Sequence, residues 1–61
     1  MTTYDEDFLG FCRNATDRQL ENILLKEWQA SRDDESRLPD YNAAKIEAER
    51  RGWTVRKGQR L

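Results

Sequence analysis

Hydrophobic and polar positions alternate with a helical period along most of this chain, and they are densest in Thr16 to Arg32, TDRQLENILLKEWQASR. At 100° per residue Leu20, Ile23, Leu24 and Trp28 fall on one arc, with Leu25 on its flank, which predicts a helix over residues 17–32. Its start is marked by Thr16 and Gln19, the T-x-x-Q spacing of a capping box, and by Asp17 at the positive end of the helix dipole. Glu27 breaks the stripe. It is read as a carboxylate with a role at a site or interface, as a partly exposed glutamate towards the end of the helix, or as one paired with an Arg or Lys of a neighbouring element, since buried charges persist when paired.

Upstream, Tyr4, Phe8, Phe11 and Cys12 recur at i, i+4, i+7 and i+8, which predicts a short helix over residues 4–13. Thr3 with Glu6 forms a second candidate capping box, and Asn14 suits a left-handed end. Downstream, DDESRLP reads as a polar loop, and Asp40 to Arg51 predicts a third helix with Asp40 as its cap and Gly52 as the left-handed residue after it. On that helix Tyr41, Ala44 and Ala48 form one narrow stripe, while Ala43 and Ile46 lie on another side that is expected to meet a partner. Trp53 is placed to fold back towards Ala48; Thr54 and Val55 are open to strand or coil; Gln59, Arg60 and Leu61 are expected to fray.

The predicted fold is all-α: a short N-terminal helix plus an antiparallel two-helix hairpin, completed by self-association. Residues 1–52 form one small domain and residues 53–61 a basic tail. The expected core is Phe8, Phe11, Cys12, Leu20, Ile23, Leu24, Trp28, Tyr41, Ala44, Ala48 and Trp53. Self-association is expected because a 61-residue chain buries only about 60% of the surface its unfolded form exposes, and a lone Cys12 supplies no disulfide within the chain.

The net charge of −1 hides an asymmetry: residues 1–49 carry twelve acids and six bases, whereas residues 50–61 carry Arg50, Arg51, Arg56, Lys57 and Arg60 and no acid. With Trp53 among them, these five are the candidate nucleic-acid contacts, for phosphates and base stacking. The same charges are equally suited to neutralise the acidic body from within.

Catalysis is disfavoured, because the sequence has no histidine, no glycine-rich phosphate loop and no activating base for Cys12. No cofactor or metal site is expected: Asp33, Asp34 and Glu35 lack the ligand spacing of a calcium loop. No apolar run reaches membrane-spanning length, and the acidic N-terminus lacks the features of a signal peptide, so a cytoplasmic location is expected. The function read from the residues is a non-catalytic protein-interaction module, with Trp28, Glu27, Ile46 and Trp53 as interface candidates; the alternative is a small nucleic-acid-binding protein.

The stretches TDRQLENILLKEWQASR and YNAAKIEAERRGW, about half of the chain, resemble in style the two-helix segments of small accessory proteins encoded by bacteriophages and prophages. The resemblance implies a cytoplasmic protein that binds and modulates a host protein or regulates a phage process. It carries over no individual functional residue.

Overall fold

A computed structural model of the chain describes residues 4–61. Helix α1 spans Glu6–Arg13, with Asp5 as its cap accepting from the Phe8 amide at 2.9 Å. Thr3 of the expected capping box lies outside the described residues, and Glu6 stands at the first helical position. At the other end Asn14 keeps a right-handed conformation (φ −91°) in place of the expected left-handed one, and its Nδ2 donates to the Gly10 carbonyl at 3.0 Å. Helix α2 spans Asp17–Asp33 and begins with the expected box: the Gln19 amide donates to Thr16 Oγ1 at 3.2 Å, and the Thr16 amide donates to Gln19 Oε1 at 2.9 Å.

The connector after α2 is tighter than its polar composition suggests. Asp34 accepts from the Ser36 amide at 3.0 Å and caps a 3₁₀ turn, Glu35–Arg37, that runs directly into α3, Leu38–Arg50. Pro39 therefore occupies the second helical position, where its missing amide proton costs nothing. Asp40, expected as the cap, lies inside the first turn and pairs with Arg37 at 3.3 Å. The end of α3 is as expected: Gly52 adopts φ +88°, its amide donates to the Glu49 carbonyl, and the Trp53 amide donates to the Ala48 carbonyl, both at 3.0 Å.

The packing hub is α3, against which both α1 and α2 lie. Ala43, Ala44 and Ala48 are fully buried, so small side chains on two sides of α3 admit a neighbour on each. The side of Ala43, expected to meet a partner, faces inward; Ile46 alone of that pair remains partly exposed. The Asp5 amide donates to the Pro39 carbonyl, while Arg51 at the far end of α3 reaches the Cys12 carbonyl. Helix α1 is thus parallel to α3, and α2, whose Asp17 also meets Arg51, is antiparallel to it.

The core contains Cys12, Leu20, Leu24, Tyr41, Ala44, Ala48, Trp53 and Val55, with Phe8, Ala15, Ile23 and Trp28 packed at its margin. Phe11 is the exception among the expected core residues: it is 60% exposed. The inward face of α1 is instead centred on Cys12 with Leu9 three residues before it, and Phe11 lies 100° from Cys12 on the outer edge of that arc.

Residues 53–61 are not a free tail. Val55–Arg56 and Gln59–Arg60 form antiparallel strands β1 and β2, with Val55 opposite Arg60 and Arg56 opposite Gln59, so the fold is mostly helical with one small hairpin. Gln59 and Arg60, expected to fray, are in the ladder, and the Leu61 amide donates to the Thr54 carbonyl at 2.8 Å. The two-residue loop Lys57-Gly58 has φ +52° and +73°, the pair of positive values that a tight hairpin turn requires. Gly58 seats the turn on α2, where an added Cβ would lie 2.6 Å from Trp28 Cβ and 3.0 Å from the Leu24 carbonyl oxygen. Its amide donates to the Tyr41 hydroxyl at 3.3 Å, fastening the turn to α3 as well.

Two glycines should respond oppositely to alanine. Gly58→Ala should lower the melting temperature and loosen the hairpin, whereas Gly10→Ala, in open space on α1, should stabilise by up to about 1 kcal/mol. Leu24→Ala should cost about 2–5 kcal/mol, read by urea denaturation; an unchanged midpoint would remove Leu24 from the core.

Candidate functional site

Of the four expected interface residues, two are structural. Glu27 is buried, and the Arg37 guanidinium donates from Nη2 to both of its oxygens at 2.9 and 3.2 Å. Trp53 is buried in the core with the Arg60 guanidinium 4.1 Å and the Arg51 guanidinium 5.9 Å from its ring centre. Trp28 is half-buried where Gly58 approaches it, and Arg32 lies 4.9 Å over its ring. Ile46 stays partly exposed on α3. These four side chains do not converge on one surface.

The basic C-terminal residues separate into two groups. Arg50 donates to Glu47 at 2.8 and 2.7 Å, Arg51 to Glu47 and Asp17, and Arg60 to Glu21 at 3.3 Å. Arg56 and Lys57, at the hairpin turn, are exposed and have no acidic partner among the described residues. Three of the five candidate nucleic-acid contacts therefore already neutralise carboxylates of the chain's own body.

Glu47 was not singled out by the hydrophobic pattern, yet it has zero exposure at the centre of the inward side of α3. Hydrogen bonds from Arg50 and Arg51 outweigh its burial and hold its carboxyl at about 2, below the ordinary 4.5. The available signal was the spacing of Glu47 to Arg50 and Arg51, i+3 and i+4, which brings all three onto one helix face. Beside it, Cys12 is pushed up to about 11 by burial and by the charges of Glu47 and Glu27, so its thiol stays protonated at neutral pH.

The surface that stands out lies between α1 and the first half of α2. Phe11, Ala15 and Ile23 supply its apolar lining and Asn14, Gln19 and Asn22 its polar one, around an open groove of about 400 Å³. None of the six is charged. Phe11 stacks on Phe8 with ring centres 5.7 Å apart, which steadies the exposed ring. Asn14 Nδ2 is bound to the Gly10 carbonyl and Gln19 Oε1 to the Thr16 amide, so both amides are held in place by the ends of their own helices.

No family model matches the chain, and no curated protein or solved structure matches it. Among the described residues no group of three potential ligands is placed to hold a metal ion, and no helix is long and apolar enough to cross a membrane.

The depressed Glu47 value fixes the sign of a pH dependence. Glu47 binds its proton more weakly folded than unfolded, so its contribution is complete above about 4.5 and is lost as pH falls through about 2. Urea denaturation across that window should show a steep loss of stability in the native chain and a shallower one in Glu47→Gln. Equal slopes would contradict this role.

Proposed function

We propose that this chain is a non-catalytic protein-interaction module that associates with itself and binds another protein through the α1–α2 surface. The observation that carries the reading is Phe11, a large aromatic left 60% exposed over an uncharged groove in a chain with little core to spare. Burying such a side chain stabilises by about 1.5–3 kcal/mol, and aromatic anchors beside pockets dominate interface energetics. The groups that would have to do chemistry are otherwise engaged: Cys12 is a buried thiol, and Glu27 and Glu47 are held by arginines. The stylistic resemblance of residues 16–32 and 41–53 to phage accessory proteins favours a cytoplasmic setting and a modulating role towards a host or phage protein.

The second reading, nucleic-acid binding, is favoured by the exposed Arg56 and Lys57 at the hairpin turn. With Arg50, Arg51 and Arg60 committed to carboxylates, two phosphate contacts remain, for which log K should fall with log salt at a slope of about −1.8 rather than the about −4.5 of five contacts.

Sedimentation equilibrium over a wide concentration range, with and without a random DNA duplex at low and moderate salt, separates the readings. The module reading predicts a mass above that of the 7.3 kDa monomer and no DNA complex at moderate salt. A monomer that binds duplex with a salt slope of about −1.8, lost in Arg56→Ala/Lys57→Ala, would establish the nucleic-acid function instead.

A further inference from the structure

We propose that the hairpin turn and the last turns of α2 together form a site for single-stranded nucleic acid, in which Arg56 and Lys57 contact phosphates and Arg32, backed by Trp28, carries a base. The inference rests on the second reading above and names its surface and the class of strand. It uses the flank of α2 away from the Phe11 groove, so the two surfaces do not exclude each other.

The turn and the helix meet at Trp28. Gly58 lies against the Trp28 side chain, while Arg60, two residues on, reaches Glu21 two helical turns earlier in α2. Strand β2 therefore runs back towards the start of α2, and the turn before it points to the helix's C-terminal end, where Arg32 sits about 6 Å beyond Trp28 along the axis. Val55 is buried, so Arg56, next in its strand, faces outward beside Lys57 at the tip. Arg32, Arg56 and Lys57 are all exposed, and none has an acidic partner among the described residues.

Lys57 is the residue that points to a ligand. Its φ of +52° is the left-handed conformation that is costly for a residue with a β-carbon, and tight hairpin turns fill such positions with Asn, Asp or Gly. Lysine is a poor choice for the turn itself. A charge kept at the tip against this cost, beside Arg56 and with no carboxylate of the described residues to meet it, is explained by an anion from outside the chain.

The other end of the site suits a base. Trp28, Gln29, Arg32 and Asp33 line an open groove of about 380 Å³. Asp33 and the last carbonyls of α2 offset the Arg32 charge, so this end holds no phosphate and accepts from the N–H groups of a base. The Arg32 guanidinium lies 4.9 Å over the Trp28 ring and is exposed, a planar cation on which an unpaired base can stack. Bases within a duplex are stacked on one another and present no free face. The site thus selects a single strand.

Fluorescence anisotropy of a labelled oligothymidylate, and of a labelled duplex of the same length, titrated with the full chain over a range of salt tests the site. Circular dichroism confirms that each variant is folded. The native chain should bind the single strand with Kd on the order of 100 μM or tighter at low salt, about tenfold or more tighter than the duplex, and with a slope of log K on log salt of about −1.4 from two phosphates. Lys57→Asn should raise the melting temperature and yet weaken binding about three- to tenfold, with the slope reduced to about −0.7. Arg32→Lys keeps the charge and removes the plane, so it should weaken binding about tenfold and leave the slope unchanged. Arg13→Gln, at the end of α1, also removes one positive charge and should leave affinity and slope as they are.

No complex with either probe overturns both this proposal and the nucleic-acid reading. A duplex bound as tightly as the single strand overturns the single-strand site and leaves that reading standing. Single-strand binding that is unchanged in both Lys57→Asn and Arg32→Lys, or that weakens as much in Arg13→Gln, places the strand elsewhere. A lower melting temperature in Lys57→Asn would show that lysine serves the turn itself, and the reason for placing an anion there would be lost.

Discussion

Arg51 is the side chain on which the arrangement of the helices depends. From the end of α3 its Nε donates to Glu47 at 2.7 Å, its Nη1 to Asp17 at 2.9 Å, and its Nη2 to the carbonyls of Cys12 and Ala15 at 3.2 and 2.7 Å. One planar cation thus joins the last carbonyls of α1, the α1–α2 turn, the first residue of α2 and the interior of α3. The last carbonyls of a helix have no partner within it and carry negative charge, so a fork of fixed donors satisfies them in a way that a lysine ammonium would not. Glu47 gives this cation a reason to turn inward: fully buried and ionised, it requires a positive partner, and Arg51 itself is only 14% exposed.

The same tie explains why the surface divides as it does. Once Arg51 has closed the ends of α1 and α2 onto α3, the chain leaves α3 through Gly52 and lays its hairpin over α2 and α3, where Arg60 covers Trp53 and reaches Glu21. The C-terminal positive charge is largely consumed in holding the molecule together. What remains uncovered is the opposite flank of α2, where it meets the short α1, and there Phe11 has no element above it among the described residues. Which flank stays open is a consequence of where the hairpin packs.

Local signals were legible in the residues. The Thr16–Gln19 box, the stripe of Leu20 and Leu24 and the glycine-terminated end of α3 each depend on groups within a few positions of one another, and each is present. The features that escaped depend on distance along the chain or on too little chain. Arg51 meets partners 34 to 39 residues away, which no periodicity encodes, and a polarity pattern treats Glu47 as a surface residue. An eight-residue helix leaves the direction of its buried arc undetermined by a third of a turn, enough to exchange Phe11 for Leu9. The hairpin has strands of two residues and a Lys-Gly turn in place of the usual Asn-Gly or Asp-Gly, so its sequence signal was faint.

Glu47 and Arg51 act as one unit, and a double-mutant cycle with Glu47→Gln and Arg51→Met, read by urea denaturation at neutral pH, measures their coupling. Each single change should be costly because it leaves the other charge buried with fewer partners, and the pair should cost less than the sum by about 1–3 kcal/mol. Additivity within about 0.5 kcal/mol would show that the two side chains contribute independently, and the account of Arg51 as the tie between the three helices would be wrong.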